Sequence, residues 1–263
     1  MAPNTALQAV PERGSMDGFR NLLGKELSLW WSTRRWIKQL LLWTLLLNGT
    51  VALLLVQLQN PEPDMGSPMQ AALQVFLAMT AIAVSIGAVL SAQDAVIGER
   101  QSGTAAWILS KPVSRQAFIL TKFLAHAFSV NVLALLVPAA LFLPEARLFN
   151  GQLPDLAGFA SGVGLLVLSV LYYQAMALML STLFQSRGAV GGIALAILIG
   201  AKSLARLAPW LLKVTPAAIG DIAAAVTMGD PVPMELVYPI IVTALCIPLF
   251  LAVAHWRFSR EEL

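Results

Sequence analysis

An all-α polytopic membrane protein with six spanning helices is the fold this sequence predicts, and three observations predict it. Of 263 residues, 58 % are hydrophobic and only 12 % charged, against roughly a quarter charged in a typical soluble domain. The mean hydropathy is +0.75. Six mostly apolar runs divide the chain at about the 20-residue length that crosses roughly 30 Å of hydrocarbon. They occupy residues 40–58, 71–92, 118–143, 156–184, 189–204 and 236–256. These runs are apolar on every face and do not alternate with period two, which argues against a strand barrel. The composition also excludes an ordinary soluble enzyme, a disordered tail and a disulfide scaffold. Cys246 is the single cysteine, and a packing role is expected of it.

The N-terminal arm, residues 1–37, divides from the six-span region, 38–263. Residues 1–15 carry no apolar period. From Asp17 a helical pattern begins, with Asp17 or Ser15 available as N-cap. Phe19, Leu22, Leu23, Leu27, Trp30 and Trp31 recur at spacings near three and four, while Arg20, Lys25 and Arg35 fall mostly off that stripe. This is the pattern of an amphipathic helix lying in a membrane interface. The first apolar run begins about 40 residues in and lacks the small-residue cleavage site of a signal peptide.

Basic residues set the expected orientation. Arg13, Arg20, Lys25, Arg34, Arg35, Lys38, Arg100, Lys111, Arg115, Lys122, Arg187, Arg257 and Arg260 fall on one side of the six spans. Only Arg147, Lys202, Arg206 and Lys213 fall on the other, a division of 13 to 4. Both termini are therefore expected to be cytoplasmic. The net charge of +3 reports orientation and contact with anionic lipid, with no nucleic-acid partner expected.

The linker at 60–64 between spans one and two is a short, acidic turn. Between spans five and six, residues 209–235 predict one or two short helices at the outer surface, opened by Pro216 and broken at Gly229-Asp230-Pro231. The connection between spans two and three is the most informative. Helix formers surround a break at Gly103 and a stop at Lys111-Pro112, predicting a short helix near residues 103–109 and a new one from Ser114. A short helix lying across the membrane face is shaped to dock into a groove on a soluble partner.

At this segment the sequence resembles the membrane subunits of type-2 ABC transporters, the mostly exporting class. The resemblance rests on Glu99, Gly103-Thr104, Trp107-Ile108-Leu109, Pro112-Val113-Ser114-Arg115 and Lys122. The basic first helix, the six spans, Thr215-Pro216 and the ending Trp256-Arg257-Phe258-Ser259-Arg260 are similar to that family too. The run from Asp94 to Glu99 is most similar to permeases of nitrous-oxide-reductase maturation transporters, and six residues carry no role over.

The resemblance implies a permease pair, a homodimer, bound to two copies of a separate ATPase in a bacterial or archaeal cytoplasmic membrane. The short helix would be the coupling helix, with Glu99, Arg100, Gly103, Thr104, Trp107, Pro112 and Arg115 as the coupling residues. ATP and magnesium would sit on the partner, and no cofactor or metal is expected in this chain. The sequence agrees by omission, since no G-x-x-x-x-G-K-[ST] phosphate loop occurs in it.

Asp, Glu, Lys and Arg are absent from the centres of all six runs, which weighs against proton-coupled secondary transport. His126 and His255 are expected to be interfacial or packed. Asn48, Thr50, Thr80 and Ser85 are candidates for lining a pathway, although interhelical hydrogen bonds are the commoner use of such residues. The Asn48-Gly49-Thr50 sequon falls inside a span and is not read as a glycosylation site. Gly188, Gly192, Ala196 and Gly200 recur every fourth residue, a face that admits close approach of another helix and is expected near a dimer axis; Gly158-x-x-x-Gly162 is a shorter version. Neither H-E-x-x-H nor G-x-S-x-G is present, so an embedded hydrolase is disfavoured. The alternatives to a transporter subunit are a secondary transporter and a membrane anchor or scaffold without an ATPase.

Overall fold

A computed structural model describes residues 14, 16, 18–58, 67–109, 113–205, 207–208 and 210–260. Every regular element among them is helical. Six helices are long and apolar enough to cross a membrane: Arg35–Gln57, Pro68–Gln101, Arg115–Asn150, Leu156–Leu183, Arg187–Leu204 and Met234–Ser259.

Helix α1, Phe19–Trp31, has Gly18 at its N-cap position in the left-handed conformation (φ 73°) with no side-chain cap. The expected caps, Asp17 and Ser15, lie outside the described residues. Leu22 and Glu26, one turn apart, are its buried residues. Helix α2, Arg35–Gln57, buries Trp43, Leu47, Asn48, Val51 and Leu55 along one stripe and leaves Leu41, Leu42, Leu45 and Leu53 exposed. An apolar helix that is only one-sidedly buried fits a lipid-facing position, where leucine needs no protein neighbour.

Helix α3 spans residues 68–92. It starts with Pro68 in the first turn, where its missing N–H loses no bond, and passes through a π-helical stretch at Thr80–Val84. After Ala92 come two short helices, α4 at Ile97–Gln101 and α5 at Thr104–Leu109. Gly103 joins them at φ 70°, a conformation in which a Cβ is strained. Helix α6, Arg115–Asn150, is capped by the Ser114 hydroxyl, which accepts from the Ala117 amide at 3.0 Å. It contains a second π-helical stretch at Asn131–Leu136. The sequence predicts an end near residue 143; the helix runs on to Asn150 and stops at left-handed Gly151. At 1.5 Å per residue it is about 54 Å long, more than the apolar core requires.

Helix α7, Leu156–Leu183, is the central rod. It is capped by Asp155, whose carboxylate accepts from the Gly158 amide at 2.7 Å. Apolar all round, it is buried along most of its length, as expected of a helix enclosed by others. Helix α8, Arg187–Leu204, turns Val190, Gly191, Ala194, Leu198 and Ala201 inward.

The segment between spans five and six departs from expectation. After the short α9, Leu211–Val214, a 3-10 turn at Pro216–Ala218 leads into α10, Ile219–Met228. This helix does not lie on the surface. Ile219, Ile222, Ala223 and Thr227 are buried, and the helix is wedged against α7 and α3. The reason lies in Gly158 and Gly162. A Cβ on Gly158 would stand 3.0 Å from the Val226 carbonyl oxygen, and one on Gly162 would stand 2.8 Å from that of Ala223. The predicted small-residue face of span four therefore serves α10. A Schellman close ends the wedge: Asp230 N–H donates to Ala225 O at 2.9 Å across left-handed Gly229. Helix α11, Val237–Ser259, returns along α7.

Two aromatic layers mark the ends of the bundle. Phe76, Phe142 and Phe159 meet at ring distances of 4.8–6.2 Å at one face. Phe118 and Phe258 stack at 5.0 Å at the other, where Leu22, Val96 and Ile108 join them in one apolar cluster. The latter face, which holds α1, α4, α5 and the end of α11, is called the near face below.

Candidate functional site

The near face gathers most of the predicted coupling residues and ties them to the ends of the spanning helices. Glu99 on α4 pairs with Lys122 on α6, and Lys122 also pairs with Glu26 of α1 at 2.9 Å. The Lys122 and Glu26 side chains are each only 5 % exposed. One ammonium thus joins three elements beneath the surface. Each buried carboxylate would be costly without it.

Arg100 and Arg115 act on backbone. The Arg100 guanidinium donates to the carbonyls of Ser181 (3.2 Å) and Thr182 (3.1 Å), at the last turn of α7. Arg115 donates to Phe258 O at 2.9 Å and Ser259 O at 2.7 Å, at the last turn of α11. Helix C-termini leave carbonyls without intrahelical donors and carry partial negative charge, so a guanidinium suits both ends. Arg100 uses both terminal nitrogens as a fork, and Arg115 shares one nitrogen between its two carbonyls. The opening turn of α8 is held too, by Arg187 to Asp94 at 2.7 Å. Here a Cβ on Gly191 would meet the Gln93 amide oxygen at 2.4 Å. The close-approach glycine of span five is therefore Gly191, beside the predicted stripe.

Helix α5 stands between these anchors. Ile108 is buried in the near-face cluster, while Trp107 is 59 % exposed. Thr104 opens the helix, its hydroxyl 2.7 Å from that of Ser102. Pro112 lies outside the described residues.

The remaining candidates are placed as follows. Asn48 is buried and donates to Pro138 O at 3.0 Å and to the Glu145 carboxylate at 3.1 Å, joining α2 to α6. Thr50 bonds back to Leu46 O within its own helix. Thr80 and Ser85 are fully buried, Thr80 in the π-helical stretch of α3 and Ser85 just after it. None of the four lines the cavity of about 880 Å³ that opens between α3, α8 and α10 toward the opposite face. That cavity is walled by residues such as Ala78, Ala81, Leu198 and Ala224, and it holds the Lys202–Asp221 pair at 2.8 Å. Gly188, Gly192, Ala196 and Gly200 look away from the rest of the chain; nothing lies within 4 Å of a Cβ placed on Gly192 or Gly200. His126 packs edge-on against Trp30 at 5.5 Å. Among the described residues no group of three or more His, Cys, Asp or Glu is placed to hold a metal ion.

Sequence reasoning passed over Glu26, Asp94 and Arg187. Glu26 carried a signal: it sits four residues after Leu22 and four before Trp30, a charge on an apolar stripe that has to be matched inside.

Six apolar spanning helices tied together at one face by a hydrogen-bonded and ion-paired loop define a polytopic membrane protein of the permease kind. Residues 37–263 match the family described as ABC-2 family transporter protein, and the chain belongs to that family: it is the membrane permease part of an ABC transporter. The family implies an ABC ATPase as its partner. A relative, the uncharacterized transmembrane protein YxlG of Bacillus subtilis (strain 168), is 26 % identical over 174 residues, covering 66 % of this chain and 67 % of that protein.

Proposed function

We propose that this chain is the membrane subunit of an ABC exporter, paired with a second copy and served by two copies of a separate ATPase that holds the ATP and magnesium. The near face is cytoplasmic, which puts the majority of the basic residues inside, in the inner membrane of a bacterium or archaeon. The export direction follows the class the sequence resembles. Helix α1 lies in the interface, and α5 seats in the ATPase.

The observation that carries this reading is the wiring around α5. It presents Trp107 outward while Ile108 fixes it to the core. Arg100 and Arg115 hold the last turns of α7 and α11, and Glu99 pairs with Lys122 of α6, which also holds Glu26 of α1. A displacement imposed on α5 therefore has bonded routes to four helices.

Co-expression with ABC ATPases from the same genome, followed by purification through a tag on this chain, provides the test. The expected result is a complex whose ATP hydrolysis depends on the permease, and Trp107→Ala is expected to express normally while losing that dependence. Glu99 and Gly103 serve this test less well, because one is the ion-pair partner of buried Lys122 and the other needs a positive φ. Transport by the chain isolated without any Walker-motif ATPase would overturn the reading in favour of a secondary transporter.

A further inference from the structure

A second cavity, of about 610 Å³, opens on the near face between α1, the start of α2 and the turn after α3. Four basic residues line it, among them Lys122 and Arg187, which are neutralised by Glu26, Glu99 and Asp94. The other two, Arg35 and Lys38, come from the first turn of α2. Among the described residues neither has a carboxylate within ion-pair distance. All three acids in the cavity already hold a cation, so its two uncommitted charges are both positive and one helical turn apart.

The surroundings fix the level of this site. Trp30 lines the cavity, and Trp31 and Trp36 stack at 6.3 Å beside it. Tryptophan gathers where hydrocarbon gives way to headgroups. Directly along α2, one to two turns further into the span, Leu41, Leu42 and Leu45 are exposed. A basic opening thus continues into an apolar strip on the same helix, the arrangement that suits a molecule with a phosphate at one end and alkyl chains at the other. Basic recesses between spanning helices take anionic headgroups for this reason.

We propose that this cavity binds a phosphate-bearing anion as the headgroup of an anionic lipid, with Arg35 and Lys38 on the phosphate and the acyl chains along the leucines of α2. No residue of α5 lines the site, and the proposal rests on the transporter reading only in naming its leaflet the cytoplasmic one.

The test uses the full chain in lipid nanodiscs and in detergent, with bound lipid read by native mass spectrometry and thermal unfolding. Phosphatidylglycerol is expected to be retained and to stabilise the protein more than phosphatidylcholine does. Each cation near the surface contributes about fivefold in affinity, so Arg35→Gln/Lys38→Gln is expected to weaken retention by about thirtyfold. Arg20→Gln/Lys25→Gln, on the same interface but outside the cavity, is expected to leave it unchanged. Equal losses in both double variants would reduce the effect to general surface attraction and overturn the site. So would an absence of preference between the two lipids. Glycerol phosphate protecting as well as the lipid would assign the cavity to a soluble phosphate and overturn the lipid reading.

Discussion

Replacing Lys122 with methionine puts the near-face wiring under direct strain. The substitution keeps most of the side-chain volume and removes the cation that Glu26 and Glu99 share. Two carboxylates are then left facing each other in a site where the Lys122 and Glu26 side chains are almost fully enclosed. Breaking a buried ion pair by deleting one partner costs about 3–5 kcal/mol, because the remaining charge stays unpaired in a medium that solvates it poorly. For a chain of this size that corresponds to roughly 2–4 °C per kcal/mol, or a fall of about 6–20 °C in the unfolding midpoint. The triple variant Glu26→Gln/Glu99→Gln/Lys122→Met removes every charge and is expected to recover most of the loss, as neutral replacement of whole buried networks often does. Glu99→Gln alone leaves Lys122 paired to Glu26 at 2.9 Å and relieves the repulsion between two acids, so it is expected to cost much less than Lys122→Met. Thermal unfolding in nanodiscs reads all three. A Lys122→Met protein melting with the wild type, or a triple variant as unstable as the single one, would refute the reasoning.

Three further expectations follow from geometry already described. Arg115→Met keeps much of the side-chain length but removes the Nη1 donor shared by Phe258 O and Ser259 O; about 1.5–3 kcal/mol is at stake, seen as faster amide exchange in the last turn of α11. Gly162→Ala places a Cβ 2.1 Å from the Thr227 hydroxyl and 2.8 Å from Ala223 O, so α10 must shift; a loss of about 1–3 kcal/mol is expected, with partial rescue by adding Thr227→Ala, since the carbonyl contact persists. A Cβ on Gly192 meets nothing within 4 Å in the single chain, and Gly192→Leu should leave its stability intact. If that face joins two copies, the same variant should break the pair when cross-linking or mass photometry counts the subunits.

The spanning helices were readable because lipid imposes one demand, about 20 apolar residues, that few charges can hide. The helix start at Ser114 and the break at Gly103 were readable as well, since each residue solves a local backbone problem. The far end of α6 was less so. Pro144 and Glu145 look like an exit, yet the helix carries both to Asn150, with Asn48 of a distant segment supplying a donor to the carboxylate. The wedging of α10 was also hidden. Its apolar face resembles that of a surface-lying helix, and only the paired glycines of α7, 60 residues earlier, allow its backbone to sink inward. Span five shows the same limit from the other side. Its four-residue stripe was the conspicuous pattern, but the contact is made by Gly191, whose meaning depends on where Gln93 stands.

Helix α7 offers a last consequence. Arg100 holds it by the carbonyls of its final turn, and its first turns are pressed against α10 without side chains between them at Gly158 and Gly162. At 28 residues it is about 42 Å long, and an enclosed helix resists shortening. It can therefore work as a connecting rod. A pull on the guanidinium at one end would be delivered to α10 at the other, and α10 forms one wall of the large cavity.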